Sequence, residues 1–144
     1  MYSASYVPFQ VRRSGRFLPS FLFPILKKNQ PFYKRLGFAV HGVRAAWCNE
    51  ASFRTQCLAV AFVLLVLVWR RPAPVWWALL LVNCGMVLAA ELLNSALEAT
   101  LDLLHPAPHP SVKLAKDCAA GAVLVLSVTA ACVFIAFVVA TFPS

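Results

Sequence analysis

Apolar residues gather into three runs, Cys57 to Trp69, Ala73 to Ala90 and Cys118 to Phe142, separated by charged or proline-containing stretches. The third run, of 25 residues, is long enough to cross a bilayer, which takes about 20. The first has 13, so its helix must begin near Ala51 and carry Arg54 at the interface, ending at Arg70-Arg71-Pro72. The second has 18 and keeps its helical period to about Leu104, so part of that helix projects past the bilayer or tilts. Ahead of these runs, Phe32, Leu36, Val40, Val43 and Trp47 fall within about 80° of one another on a helix, with Lys34, Arg35, His41 and Arg44 off that stripe. This pattern predicts an amphipathic helix on the membrane surface. His105-Pro106-Ala107-Pro108-His109-Pro110 is expected to be a loop, because three prolines lack the N–H donor and restrict their predecessors. Ser111 is the expected N-cap of the third span. The expected fold class is thus an all-α integral membrane protein. Residues 1–31 form a basic, Pro/Phe-rich extension, and 32–144 form one membrane domain with a surface helix at about 32–48 and spans at about 51–70, 73–104 and 112–142.

Polar positions break this pattern in one place. Glu91, Asn94, Glu98 and Asp102 lie within about 80° on one helix face, with Ser95 at its edge, while Leu92, Leu93, Ala96, Leu97 and Leu101 cover the rest. A charge deep in a bilayer costs about 2.5–3.5 kcal/mol on insertion scales, so such a stripe belongs in a bundle interior or a wet cleft. The chain has only five acidic residues, and the other two, Glu50 and Asp117, each sit beside a span.

Composition narrows the reading further. The chain is 61% hydrophobic with mean hydropathy +0.75, far above a soluble domain. Its net charge of +8 flanks apolar segments instead of forming one patch interleaved with aromatics, which fits anionic headgroups and argues against nucleic acid. Cys48, Cys57, Cys84, Cys118 and Cys132 show no C-x-x-C spacing and read as small hydrophobes. Of the thirteen Lys and Arg, nine lie at or before Arg54, which places the N-terminus in the cytoplasm and the loop at 105–117 on the same side. Glu50, the acidic end of the second span and Lys116-Asp117 then meet at one membrane boundary.

Glu50 and Glu98, carboxylates from two helices, suit Mg²⁺, which takes a couple of carboxylates plus phosphate oxygens and water. Lys116 is able to neutralise phosphate charge, and Glu91, lying deeper, suits a general base toward a lipid hydroxyl. No G-x-x-x-x-G-K-[ST] loop occurs, so any nucleotide is held by another device.

Four stretches, Arg44-Ala45-Ala46-Trp47, Asn49-Glu50-Ala51-Ser52-Phe53-Arg54, Glu91 to Ala99 and Ala115-Lys116-Asp117, resemble the signatures of the small bacterial integral-membrane diacylglycerol kinase / undecaprenol kinase family. The resemblance implies a homotrimer of three-span protomers in the bacterial inner membrane, using MgATP as co-substrate to phosphorylate a lipid hydroxyl. It implies Glu91 as base with Asn94 as an essential amide beside it, Glu50 and Glu98 as metal ligands that also contact the nucleotide, and His109, Lys116 and Asp117 as further nucleotide contacts. It further implies that Ala45, Ala46, Trp47 and Cys48, and Phe53, Arg54, Thr55, Gln56 and Cys57, border the lipid site together with Glu91. The likeness departs at Pro31, where the diacylglycerol branch has an arginine, and at Ala107-Pro108, where an acidic and an aromatic residue are usual. The Asn49–Arg54 stretch resembles the diacylglycerol branch and His109-Pro110 with Ala115–Val123 the undecaprenol branch; diacylglycerol is the favoured acceptor.

Blander readings exist for each feature. The stripe would otherwise be a polar seam between helices, Glu50 and Arg54 an i, i+4 ion pair, and Lys116-Asp117 an interfacial lysine beside a helix-start acid. Asn83, Ser127 and Thr129 read as inter-helix hydrogen-bond partners, and Trp69, Trp76 and Trp77 as an outer aromatic belt. A proton- or ion-coupled transporter would need the polar face to continue past Glu91, where only Asn83 interrupts apolar residues. A purely structural subunit would not need its carboxylates clustered.

Overall fold

The computed structural model describes residues 31–142; the readings made for residues 1–30 of the extension lie outside the described residues. The chain divides into two units, Met1–Ala39 and Val40–Ser144. The described part of the first is the opening of helix α1 (Phe32–Asn49), started by the Pro31 carbonyl accepting from the Lys34 and Arg35 amides. Phe32, Tyr33, Leu36 and Phe38 are exposed there.

The second unit holds α2 (Ala51–Arg70), α3 (Pro74–Leu104) and α4 (Pro110–Thr141). All three are long and apolar enough to cross a membrane, and the chain is an all-α membrane protein. Helix α3 packs against both α2 and α4. Where the three meet, Leu67 of α2, Leu80 of α3 and Phe137 of α4, all nearly free of solvent exposure, form the core, with Val63, Val66, Val133 and Phe134 around them. Trp76 meets Phe137 edge to face at 5.6 Å between ring centroids. Trp76 and Trp77 therefore lie half-buried against the core, whereas Trp69 is 72% exposed; of the expected aromatic belt only Trp69 keeps an outward position. The aromatic quadrupoles favour such tilted pairs over lipid contact alone.

The connections follow local chemistry. Arg71 takes the left-handed region (φ 47°) and donates its amide to the Leu67 carbonyl, closing α2 before Pro72. Arg70 then caps the neighbouring helix end, donating to the Thr141 carbonyl with its guanidinium 4.0 Å from the centre of the Phe142 ring. Helix α4 starts one residue ahead of Ser111. His109 is the N-cap, its Nδ1 accepting from the Ser111 amide at 3.2 Å, and Pro110 occupies the first helical position. Proline suits that place because an N–H there would lack a helical partner anyway. Asn83 and Thr129 do not reach across to other helices; they donate to Leu79 and Val125 of their own helices at 2.8 and 2.9 Å. A short polar side chain in an apolar run finds the carbonyl one turn back first.

All five cysteines are free thiols.

Candidate functional site

The α1–α2 junction carries the first group of candidate residues. Glu50 is extended (φ −106°, ψ 115°) and starts α2 without using its carboxylate as a cap. The last carbonyls of α1 would be left without partners by this turn. The Glu50 amide donates to the Ala46 carbonyl at 2.8 Å, and Arg54 Nη1 donates to the Trp47 and Cys48 carbonyls at 3.0 and 3.3 Å. Arg54 is thereby committed to closing α1 and does not pair with Glu50, against the i, i+4 expectation. Glu50 stays half-buried with its carboxylate uncommitted among the described residues. Trp47, Cys48, Ala45 and Thr55 are exposed, Ala46 and Phe53 are buried, and Gln56 and Cys57 are half-buried.

Helix α2 next delivers side chains to Glu91. Ser52 and Gln56 stand one turn apart on α2, so both face α3. The Ser52 hydroxyl donates to Glu91 Oε1, and Gln56 Nε2 donates to Glu91 Oε2 at 3.2 Å. Glu91 is the one buried charged residue described, 4% exposed. An isolated buried carboxylate is costly, and two donors aimed at its two oxygens offset that cost. The family resemblance names Gln56 only as bordering the lipid site, and it leaves Ser52 out of the site. The available signal was that both lie one helical turn apart just after Glu50, where α2 passes the acidic stripe.

One turn further along α3, Asn94 Nδ2 donates to Glu98 Oε1 at 2.9 Å. Two buried acceptors nearby lack any partner: Asn94 Oδ1 and Gln56 Oε1. A buried acceptor left without any partner costs about 1–3 kcal/mol, so a water, an ion, a ligand or a catalytic role is called for at each.

The third group lies at the α3–α4 loop. Lys116 Nζ contacts Asp102 Oδ1 at 2.5 Å, and Lys113 Nζ contacts Asp117 Oδ2 at 2.5 Å. These are the ion pairs among the described residues. A shallow cleft here is bordered by Asp102, His105, His109, Lys113 and Lys116, so two lysines and two histidines line it against a single acid. His109 faces it while its Nδ1 caps α4.

No group of three or more His, Cys, Asp or Glu side chains gathers as a ready metal cage among the described residues. The oxygen donors present, carboxylates of Glu50 and Glu98 and the spare amide oxygen of Asn94, are of the hard type that Mg²⁺ takes when phosphates and water complete its shell.

With this geometry in hand, comparison with known proteins is specific. The family model for prokaryotic diacylglycerol kinase matches residues 37–138. The chain is similar to a diacylglycerol kinase of Escherichia coli (strain K12), 35% identical over 97 residues, 67% of this chain and 80% of the relative. It is also 34% identical over 97 residues to an undecaprenol kinase of Bacillus subtilis (strain 168), covering 67% of this chain and 79% of that protein. A diacylglycerol kinase of Pseudomonas aeruginosa is 39% identical over 100 residues, 62% of this chain and 76% of the relative. A match over most of the membrane domain, which contains all the candidate residues described above, makes this chain a member of the prokaryotic diacylglycerol kinase family, a lipid kinase.

Proposed function

We propose that this lipid kinase transfers the γ-phosphoryl group of ATP to the free hydroxyl of diacylglycerol, giving phosphatidic acid, at the cytoplasmic face of the inner membrane. The single observation that supports this reading best is Glu91: a buried carboxylate, held at both oxygens from a neighbouring helix, one turn from an amide and two turns from a second carboxylate. Glu91 takes the hydroxyl proton. The alcohol oxygen bonds the γ-phosphorus as the bond to the β-phosphate oxygen breaks, leaving lipid phosphate and ADP. Phosphoryl transfer depends mainly on positioning and charge neutralisation, so a base, a cation and a lysine are sufficient equipment.

Glu50 and Glu98 are the proposed ligands of Mg²⁺, which when bound neutralises phosphate charge. Lys116 and Asp117, with His109, are the proposed nucleotide contacts, in keeping with the basic lining of the α3–α4 cleft. Residues Ala45 to Cys48 and Phe53 to Cys57 border the proposed lipid site. The surface helix, the homotrimer and the cytoplasmic N-terminus belong to the same reading. The large apolar side chains of the spans that remain exposed, such as Leu58, Leu65, Leu124 and Ile135, support helix or lipid neighbours on several faces.

Undecaprenol is the second reading for the acceptor, favoured by the similarity to the B. subtilis enzyme. Purified protein incubated with labelled ATP, Mg²⁺ and either diacylglycerol or undecaprenol decides between them. Label in phosphatidic acid is the expected result; label in undecaprenyl phosphate alone overturns the choice of acceptor, and label in neither overturns the reading.

A further inference from the structure

Glu91 has two partners on α2, and they differ in kind. Gln56 is half-buried, whereas Ser52 is exposed, so the Ser52 hydroxyl stands at the open edge of an otherwise enclosed carboxylate. The two donors meet the two carboxylate oxygens separately, Ser52 at Oε1 and Gln56 at Oε2. One contact leaves a carboxylate free to rotate about its last bond; two contacts from one rigid helix fix the plane of the group. Each carboxylate oxygen has two acceptor positions, so both oxygens keep one for an incoming proton.

Ser52 has no other task that explains its placement. It does not cap α2, whose N-cap is Glu50, and its hydroxyl turns to α3 instead of back along its own helix as the Thr55 hydroxyl does toward Ala51. We propose that Ser52 is a positioning residue of the phosphoryl-transfer reaction: with Gln56 as the second contact, its hydroxyl locks the plane of the Glu91 carboxylate so that one fixed edge meets the acceptor hydroxyl. This rests on Glu91 acting as the base. A near-attack geometry is sensitive to shifts of about 1 Å, which is worth up to about a hundredfold in rate, and a freed carboxylate edge moves by that order.

The test uses the full chain in lipid with diacylglycerol as acceptor. Ser52→Ala is expected to lower kcat about ten- to a hundredfold, with KM for ATP and for lipid and the thermal midpoint in detergent unchanged. Ser52→Thr, which keeps the hydroxyl, is expected to restore most of kcat. In a Glu91→Gln background, Ser52→Ala is expected to cause no further loss, because the group it positions is gone. Wild-type kcat in Ser52→Ala, equal loss in Ser52→Thr, a change in KM alone, or an additive loss in the double variant would each overturn the proposal. An inactive Glu91→Gln beside a fully active Ser52→Ala sinks this inference only, whereas a fully active Glu91→Gln sinks the base assignment and this inference with it.

Discussion

The two ends of the helical bundle are built on opposite terms. At the Arg70 end, Leu67, Leu80 and Phe137 bury one another, Trp76 packs edge-on against Phe137, and Arg70 closes the end of α4. Toward the loop end, Glu91 is buried, and Gln56 Oε1 and Asn94 Oδ1 are buried without partners. Along α2 the two regions are about 20 Å apart, from the rise of the helix between Ser52 and Leu67. Polar atoms left short of partners weaken a fold, whereas the apolar burial at the far end stabilises it. Stability and chemistry should therefore separate under mutation.

The sharpest break comes from Glu91→Gln. It keeps the shape and removes the charge and the proposed base, so transfer to lipid is expected to fall about 10²–10⁴-fold. Resistance to denaturing detergent should hold or rise, since a buried charge has gone. Labelled-phosphate assays and an unfolding titration on the same preparation read both quantities; strong loss of stability together with activity would contradict the separation.

Phe137→Ala is the mirror experiment. The ring is fully buried, and its loss leaves a cavity worth about 3 kcal/mol, or roughly a hundredfold in the folded population. The specific activity of the protein that remains folded is expected to equal that of the wild type. A proportionate fall in kcat would show that the two ends are coupled.

The same division governs what the residues alone disclosed. Helical spans were legible because apolar runs bounded by Arg70-Arg71-Pro72 and by the proline loop leave few choices, and the period of Glu91, Asn94 and Glu98 placed them on one face before any coordinates. What stayed hidden was decided by side chains choosing between equal partners. Arg54 had a carboxylate one turn back and took the ends of α1 instead, because carbonyls orphaned by the turn at Glu50 stood closer. Ser52 carried no charge or pattern to mark it, and only the pairing of α2 with α3 reveals its contact with Glu91. The start of α4 lies ahead of Ser111 because the His109 side chain accepts from the Ser111 amide and Pro110 stands where its missing N–H does no harm.

Lys116→Met refines the comparison within the site end. Removing a cation from the basic cleft is expected to raise KM for ATP about tenfold, the equivalent of about 1.4 kcal/mol of lost charge-assisted contact. KM for lipid should not move, and neither should stability. Steady-state kinetics with each substrate varied in turn make the distinction; a raised lipid KM would assign Lys116 to the wrong substrate.

Asp102→Asn should produce the smallest effect and thereby tell what the Lys116–Asp102 contact is for. The pair joins the end of α3 to the first turns of α4, but Asp102 is 64% exposed and Lys116 30%, so water screens the attraction. An exposed pair of this kind contributes about 0–1 kcal/mol, and side-chain ordering cancels much of that. Its loss should scarcely alter the unfolding titration. Lys116, released from Asp102, should hold ATP as well as before or slightly better, because one acid that competes with phosphate for the ammonium group has been neutralised. Unchanged or lowered KM for ATP in Asp102→Asn is thus expected, in contrast to the rise in Lys116→Met. If both variants raised it alike, Asp102 would be serving to aim the lysine at the nucleotide, and the ion pair would belong to the site instead of to the fold.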